Sequence, residues 1–212
     1  MRRLALPPLA AALLAVACSG AWAGPPTDQL HGRIDRVLEV LQDPALKKDA
    51  KTTERRATLR GIAGEIFDFT EVSQRSLGRH WQARTPSERQ EFVALFADLL
   101  ERTYVAKIEG YSGERLVYAG ETLDGDQATV RTRIVTKQGT EIPVDYRMFQ
   151  RDGRWRVFDV NIEGVSLVGN YRSQFSAIIA RSSYADLVAK LKSRQDEGSG
   201  PRETGRPRTE SP

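Results

Sequence analysis

Histidine and cysteine are almost missing from this chain of 212 residues: the histidines are His31 and His80, and the one cysteine is Cys18. That scarcity excludes a His/Cys zinc site and a disulfide framework, since either needs several such residues at ligand or pairing spacing. Charge of one sign is also missing. Lys and Arg number 32 against 28 Asp and Glu, interspersed along the chain, which is the pattern of a solvated surface and not of a polyanion footprint. No apolar run reaches the ~20 residues of a membrane-spanning helix, and no internal repeat is present.

The first 23 residues carry Arg2 and Arg3, an apolar run interrupted by Pro7 and Pro8, and then Ala21-Trp22-Ala23. A basic start, a short apolar segment and a small-x-small site read as a cleavable export leader, with cleavage expected after Ala23 and a mature chain beginning at Gly24. Ala15-Val16-Ala17-Cys18 is a competing, degenerate lipoprotein box, in which Cys18 would be acylated. Either way the folded part has no cysteine. Loss of Arg2 and Arg3 leaves 30 basic against 28 acidic residues, a formal charge of +2.

Apolar spacing predicts helices first and strands later. Thr27 or Asp28 can cap a helix bearing Leu30, Ile34, Val37, Leu38 and Leu41, broken at Asp43-Pro44. A second helix is expected over 53–69 with Leu59, Ile62, Ile66 and Phe67 on one side, and "FTEVSQRSLG" reads as a third, closed by Gly78. The clearest helix opens at Thr85-Pro86 with Glu88 completing a capping box. Its stripe is Phe92, Leu95, Phe96, Leu99, Leu100, Thr103 and Ile108, and Gly110 ends it.

Beyond Tyr111 the period drops to two. Strands are expected over 115–119, 127–137, 141–150 and 154–162, separated by turns at Asp124-Gly125-Asp126, Gln138-Gly139 and Arg151-Asp152-Gly153. Gly164 turns the chain, Ser166 can cap a helix over 167–180 with Tyr171, Phe175, Ile178 and Ile179 inward, and a last helix covers 184–191. The expected fold is therefore α+β: a four-stranded antiparallel meander, wet on one face and covered by helices on the other. From Lys192 onward the chain is Gly, Pro and charge, and reads as a disordered tail over 192–212.

A catalytic constellation is not legible. Neither histidine is paired with a carboxylate at ligand spacing, so each reads as a solvated or packed imidazole. "GVSLVG" lacks the glycine at 168 that a nucleophile elbow needs, which leaves Ser166 as a helix cap. Asp159, on the last strand, reads as the partner of an arginine such as Arg147 or Arg172. What the chain does offer is apolar volume, which can close into a solid core or stay parted as a pocket. Composition by itself favours the filled core.

The segment "VDYRMFQRDGRWRVFDVNIEGVSLVGNYRSQF", residues 144–175, closely resembles the MlaC family of periplasmic phospholipid-binding proteins, also called toluene-tolerance auxiliary proteins. "FDF" at 67–69, "LGRHW" at 77–81, Thr85 to Phe92 and "LLERTY" at 99–104 extend the likeness over 27–191, so that 24–191 reads as one MlaC-like domain. The charged Pro/Gly tail is longer than the family leads one to expect.

The resemblance implies a non-enzymatic carrier without cofactor, metal or nucleic acid. It would hold a phospholipid's acyl chains between sheet and helices and pass lipid between an outer-membrane lipoprotein complex and the substrate-binding subunit of an inner-membrane ABC transporter. The expected lipid-binding lining is Phe96, Leu99, Leu100, Val130, Ile134, Val144, Tyr146, Met148, Phe158, Val160, Ile162, Tyr171 and Phe175, with Arg172 at the pocket mouth or in docking. Two other readings stand beside it: a small-molecule isomerase or dehydratase on a cone-shaped α+β fold, and a structural periplasmic adaptor with a filled core.

Overall fold

The structure, a computed structural model, describes residues 24–199. The leader, Cys18 and residues 200–212 of the tail lie outside that range. Six helices and five strands follow in the order α1 (Pro25–Gln42), α2 (Thr52–Ile66), α3 (Phe69–Leu77), α4 (Pro86–Glu109), β1 (Arg115–Asp124), β2 (Gln127–Val135), β3 (Glu141–Arg151), β4 (Arg154–Ile162), β5 (Val165–Ser166), α5 (Leu167–Arg181) and α6 (Tyr184–Ser199).

The helices start and stop largely where local chemistry directs them, with instructive exceptions. Pro25 and Pro26 are already in the first turn of α1, where the missing proline N–H groups cost nothing, and Gly24 is the N-cap without a side-chain bond. Neither Thr27 nor Asp28 is therefore the cap. Thr27 is buried, and its N–H and Oγ1 donate to Glu121 Oε2 at 3.1 and 2.6 Å, so a carboxylate from β1 serves the orphan donors of α1. The capping box of α4 is as expected: Glu88 N–H donates to Thr85 Oγ1 at 3.2 Å and Thr85 N–H to Glu88 Oε2 at 2.7 Å.

Where one helix was expected to run to Phe69, the chain breaks at Phe67-Asp68. Phe67 forms a parallel bridge to Val157, Asp68 N–H donates to the Val157 carbonyl at 3.0 Å, and the Asp68 carboxylate then caps α3 by accepting from Glu71 N–H at 2.9 Å. Helical periodicity persists through this joint, but tertiary pairing with a strand edge overrides it. At the other end of the chain α6 continues to Ser199, so helix occupies the first residues of the segment read as a disordered tail.

The sheet is antiparallel with its strands in sequence order. A fifth strand joins the expected four because Val165 and Ser166 fold back onto Ile162 and Asn161 after the Glu163-Gly164 turn, whose residues have φ of 51° and 84°. The outer edge of β4 is thus covered twice, by β5 and by the α2–α3 joint, which leaves little of it free to pair with another chain. α1 and α2 cover one face, where Leu30, Ile62 and Ile66 meet Ala128, Val130, Val144, Met148, Val157 and Val160.

The register of β3 with β4 slips between Arg147, opposite Asp159, and Met148, opposite Val157, so Phe158 is the extra residue of a β-bulge. The bulge breaks the alternation read from sequence. Phe158 leaves the Val157/Val160 face and joins Asp159 on the opposite one, where the guanidinium groups of Arg75 and Arg147 lie 4.1 and 5.2 Å from its ring centre. Asp159, 3 % exposed, accepts from Ser166 Oγ at 2.7 Å and from Val168 N–H at 3.0 Å. Ser166 Oγ in turn caps α5 by accepting from Gly169 N–H at 2.9 Å.

Asp159→Ala leaves the Val168 N–H buried without a partner and the capping hydroxyl unoriented, and should destabilise the protein by about 2–4 kcal/mol, whereas Asp159→Asn, which keeps an acceptor, should cost roughly half as much. Urea unfolding measures both; equal stability of Asp159→Ala and the parent would contradict this account of the β4–α5 joint.

Candidate functional site

Apolar residues divide into two buried clusters that share no member. The first belongs to the sheet with α1 and α2. The second belongs to α3, α4, α5 and α6: Val72, Leu77, Phe92, Phe96, Phe175 and Leu187 are among its residues. Its centre is aromatic, with the Phe96 ring 4.9 Å from Tyr171 and 5.1 Å from Phe175, both edge-on, and Phe92 5.6 Å from Phe175. α4 packs along α3 and α6, and no strand is among its principal neighbours.

The expected lining residues fall on both sides of this division. Phe96, Leu99, Leu100 and Phe175 are buried in the helical cluster, with Tyr171 half-buried against it. Val130, Val144, Met148 and Val160 are buried in the sheet cluster, with Ile134 and Tyr146 half-buried beside them. Phe158 belongs to neither, since the bulge turns it to the other face, and Ile162 is 36 % exposed at the β4–β5 turn. The structure therefore does not gather the thirteen into one surface. It places two groups on two bodies, with partly covered side chains on each.

Those partly covered positions include four phenols. On the sheet side, burial raises the Tyr146 hydroxyl to about 12. Burial, then the neighbouring Tyr146 and Asp35, raises Tyr118 as well, and the Tyr118 hydroxyl is buried without a hydrogen-bond partner. On the helical side Tyr104 is raised by burial and then by Tyr171. Tyr118 and Ile142, half-buried against the sheet cluster, were not among the expected lining residues, although Ile142 continues the alternation of Val144, Tyr146 and Met148; in β1 a second bulge, between Tyr118 and Gly120, interrupts the alternation.

Between α2, on the sheet body, and α4, on the helical body, the ties are ionic. Arg55 Nη2 and Arg56 Nη2 donate to opposite oxygens of Glu109 at 2.7 and 2.8 Å, and Arg60 is paired with Glu101. The hydrogen bond from Arg56, then that from Arg55, holds the Glu109 carboxyl below the usual carboxylate range against its partial burial. Nothing in the spacing of these arginines marks them in the sequence, because their partners lie some fifty residues away.

The polar groups singled out in the sequence have structural surroundings. Both Asp159 oxygens are engaged in holding α5, and its ionic neighbour at 3.7 Å is Arg147, a cation that does not exchange protons near neutrality. Of the two candidate partners named for it, Arg147 is therefore the one found. Contrary to the expectation that neither histidine has a carboxylate partner, His31 is 3.5 Å from Asp35, one helical turn on, although both side chains are exposed. Burial, then Arg79 and Arg84, lowers the pKa of His80. Among the described residues there is no cluster of three or more His, Cys, Asp or Glu side chains fit to hold a metal, and no helix is long and apolar enough to cross a membrane.

Arg172 is not the ionic partner of Asp159. Its Nε donates to the Arg75 carbonyl at 2.8 Å, at the end of α3, on the rim of a polar surface cleft of about 390 Å³. A second polar cleft, of about 450 Å³, lies at the β3–β4 turn between Asp68 and Arg156.

Comparison with known proteins agrees with this architecture. The chain is 22 % identical over 162 residues to the intermembrane phospholipid transport system binding protein MlaC of Haemophilus influenzae, covering 74 % of this chain and 76 % of that one. It is 26 % identical over 185 residues to the toluene tolerance protein ttg2D of Pseudomonas putida, covering 81 % and 85 % respectively. A phospholipid-binding protein from Ralstonia solanacearum, solved in complex with a phospholipid, superposes with a TM-score of 0.71 at 26 % identity, covering 81 % of this chain and 97 % of that one. The family model described as MlaC protein matches residues 32–193, most of the chain, and the protein belongs to the MlaC family.

Proposed function

We propose that the protein is a periplasmic phospholipid carrier, which receives and delivers lipid at membrane complexes: an outer-membrane lipoprotein complex on one side and the substrate-binding subunit of an inner-membrane ABC transporter on the other. The observation that carries this reading is the division of the apolar residues into two bodies, each with half-buried aromatic and aliphatic side chains, in a fold shared with a protein solved with phospholipid bound. The acyl chains would lie along the seam. On the helical body their neighbours would be Tyr104 and Tyr171, and on the sheet body Ile134, Ile142 and Tyr146, while Phe96, Val130 and Met148 serve as packed core behind them.

Apolar contact supplies the affinity. Each buried methylene contributes about 0.8 kcal/mol, so two chains burying roughly fifteen each provide on the order of 20 kcal/mol before ordering costs. Head-group bonds are then not needed for tight binding, and broad head-group tolerance follows. Spontaneous release into water would be very slow, so delivery requires the two bodies to part. The Arg55/Arg56–Glu109 and Arg60–Glu101 pairs are placed to hold them together; the exposed Arg60 pair breaks at small cost, and the largely buried Arg55–Glu109 pair is the stronger tie that release must overcome. The enzyme alternative has no proton-transfer pair to support it.

Phospholipid should co-purify at about one molecule per chain, read by organic extraction and mass spectrometry. Ile134→Asp should lose that lipid while keeping most of its melting temperature, whereas Val130→Asp, fully buried, should fail to fold. Lipid-free protein from several gentle preparations, with Ile134→Asp as damaging to folding as Val130→Asp, would favour the filled-core adaptor instead.

Glu109→Gln should speed transfer of a fluorescent phospholipid to acceptor vesicles several-fold. Because the folded-state carboxyl is held below its unfolded value, its contribution is complete above the usual carboxylate range and lost as pH falls through the lowered value. The parent's transfer rate should therefore rise at acid pH toward that of Glu109→Gln, and rates that differ equally at all pH values would rule out this tie as the latch.

A further inference from the structure

The cleft at the end of α3 joins two segments singled out in the sequence, "LGRHW" and "NYRSQF", yet lipid carriage along the seam uses neither its arginines nor its shape. Its polar lining is Glu71, Gln74, Arg75, Arg79, Gln82 and Arg172. Three guanidinium groups thus face one carboxylate, and that carboxylate is already taken, since Arg75 Nε donates to Glu71 Oε1 at 2.7 Å. Among the described residues Arg79 has no acidic partner, and Arg172 bonds only a backbone carbonyl through Nε, leaving both terminal nitrogens free.

Two of these cations, Arg75 and Arg172, are held in place before any ligand arrives. Arg75 is stacked over Phe158 at 4.1 Å. The stem of Arg172 lies against Gly78, whose φ of +58° favours glycine and where a Cβ would stand 3.4 Å from the Arg172 stem. Fixed, planar donors with free N–H pairs suit bidentate recognition of carboxylates. The second cleft, past the start of α3 at Asp68, presents Arg151, Arg154 and Arg156 against Asp68 and Asp152. Asp68 is the N-cap of α3 and Glu71 to Arg75 lie on it, so both basic clefts border this one helix.

We propose that the Arg75/Arg79/Arg172 cleft is a docking site for an acidic segment of a partner protein, whose Asp or Glu side chains enter it, with the Arg151/Arg154/Arg156 cleft taking further carboxylates of the same segment. A protein segment fits better than a bilayer surface because the donors line concavities, which a protruding carboxylate reaches and a flat layer of head groups does not. The exposed large apolar residues that would accompany membrane insertion, Ile108, Leu123, Ile162 and Val165, line neither cleft. The proposal is independent of what occupies the seam.

The test uses the mature full-length protein and a twelve-residue Glu/Ser peptide, titrated by calorimetry at low salt, together with vesicles of phosphatidylglycerol and phosphatidylcholine. Saturable peptide binding that weakens with added salt is expected, with a loss of about tenfold in the combined Arg79→Gln/Arg172→Gln variant and none in Arg115→Gln, an exposed arginine away from both clefts. Arg79→Gln alone, at a side chain without recorded bonds, keeps the fold and should still weaken binding measurably. Absence of saturable binding, an equal loss in Arg115→Gln, or vesicle binding that is stronger than peptide binding and is lost with Arg79 and Arg172, would each overturn the proposal.

Discussion

The architecture depends on one buried carboxylate. Asp159 alternates with Val160 onto the helical side of the sheet, where the extra residue of β4 sets Phe158 beside it, and there it holds both the backbone of Val168 and the hydroxyl that caps α5. Without the bulge, Phe158 would fall among the aliphatics of the sheet core. With it, the helical body is anchored to the sheet at the β4 edge, while ion pairs tie α4 to α2. A firm joint at one place and ionic ties at another is what a carrier needs if its two bodies are to part without unfolding.

Tight binding and rapid delivery place opposite demands on such a molecule. A phospholipid bound by apolar contact alone would dwell far too long if the protein were rigid, and would not be retained if the seam were open. On the proposed function, two separately packed cores would resolve the conflict, since each would keep its own buried side chains with the seam open. Phe92, Phe96 and Phe175 hold the helices together, and Val130, Met148 and Val157 hold the sheet to α1 and α2.

Much of this was legible in the sequence. The capping box at Thr85 and Glu88, the Ser166 cap, the turns at Gly125, Gly139 and Gly153, and the alternation in β2 and β3 all specify local structure through neighbouring residues. The readings that failed depend on distant partners. Thr27 does not cap α1 because Glu121 reaches it, the helix ends at Ile66 because Phe67 pairs with Val157, and Phe158 changes face because β3 and β4 slip by one residue. The positions expected to line a pocket were legible as apolar, but not their division between two buried clusters, because a stripe of buried residues has the same period whichever neighbour it meets.

The central claim is that lipid lies between two bodies that move apart, and electron-spin distance measurements test it most directly. Labels at Lys107→Cys on α4 and Arg131→Cys on β2 span the seam, and labels at Glu39→Cys on α1 and Arg131→Cys stay within the sheet body. Removal of lipid should shift or broaden the first distance and leave the second unchanged. Identical distributions for the first pair with and without lipid would contradict the account.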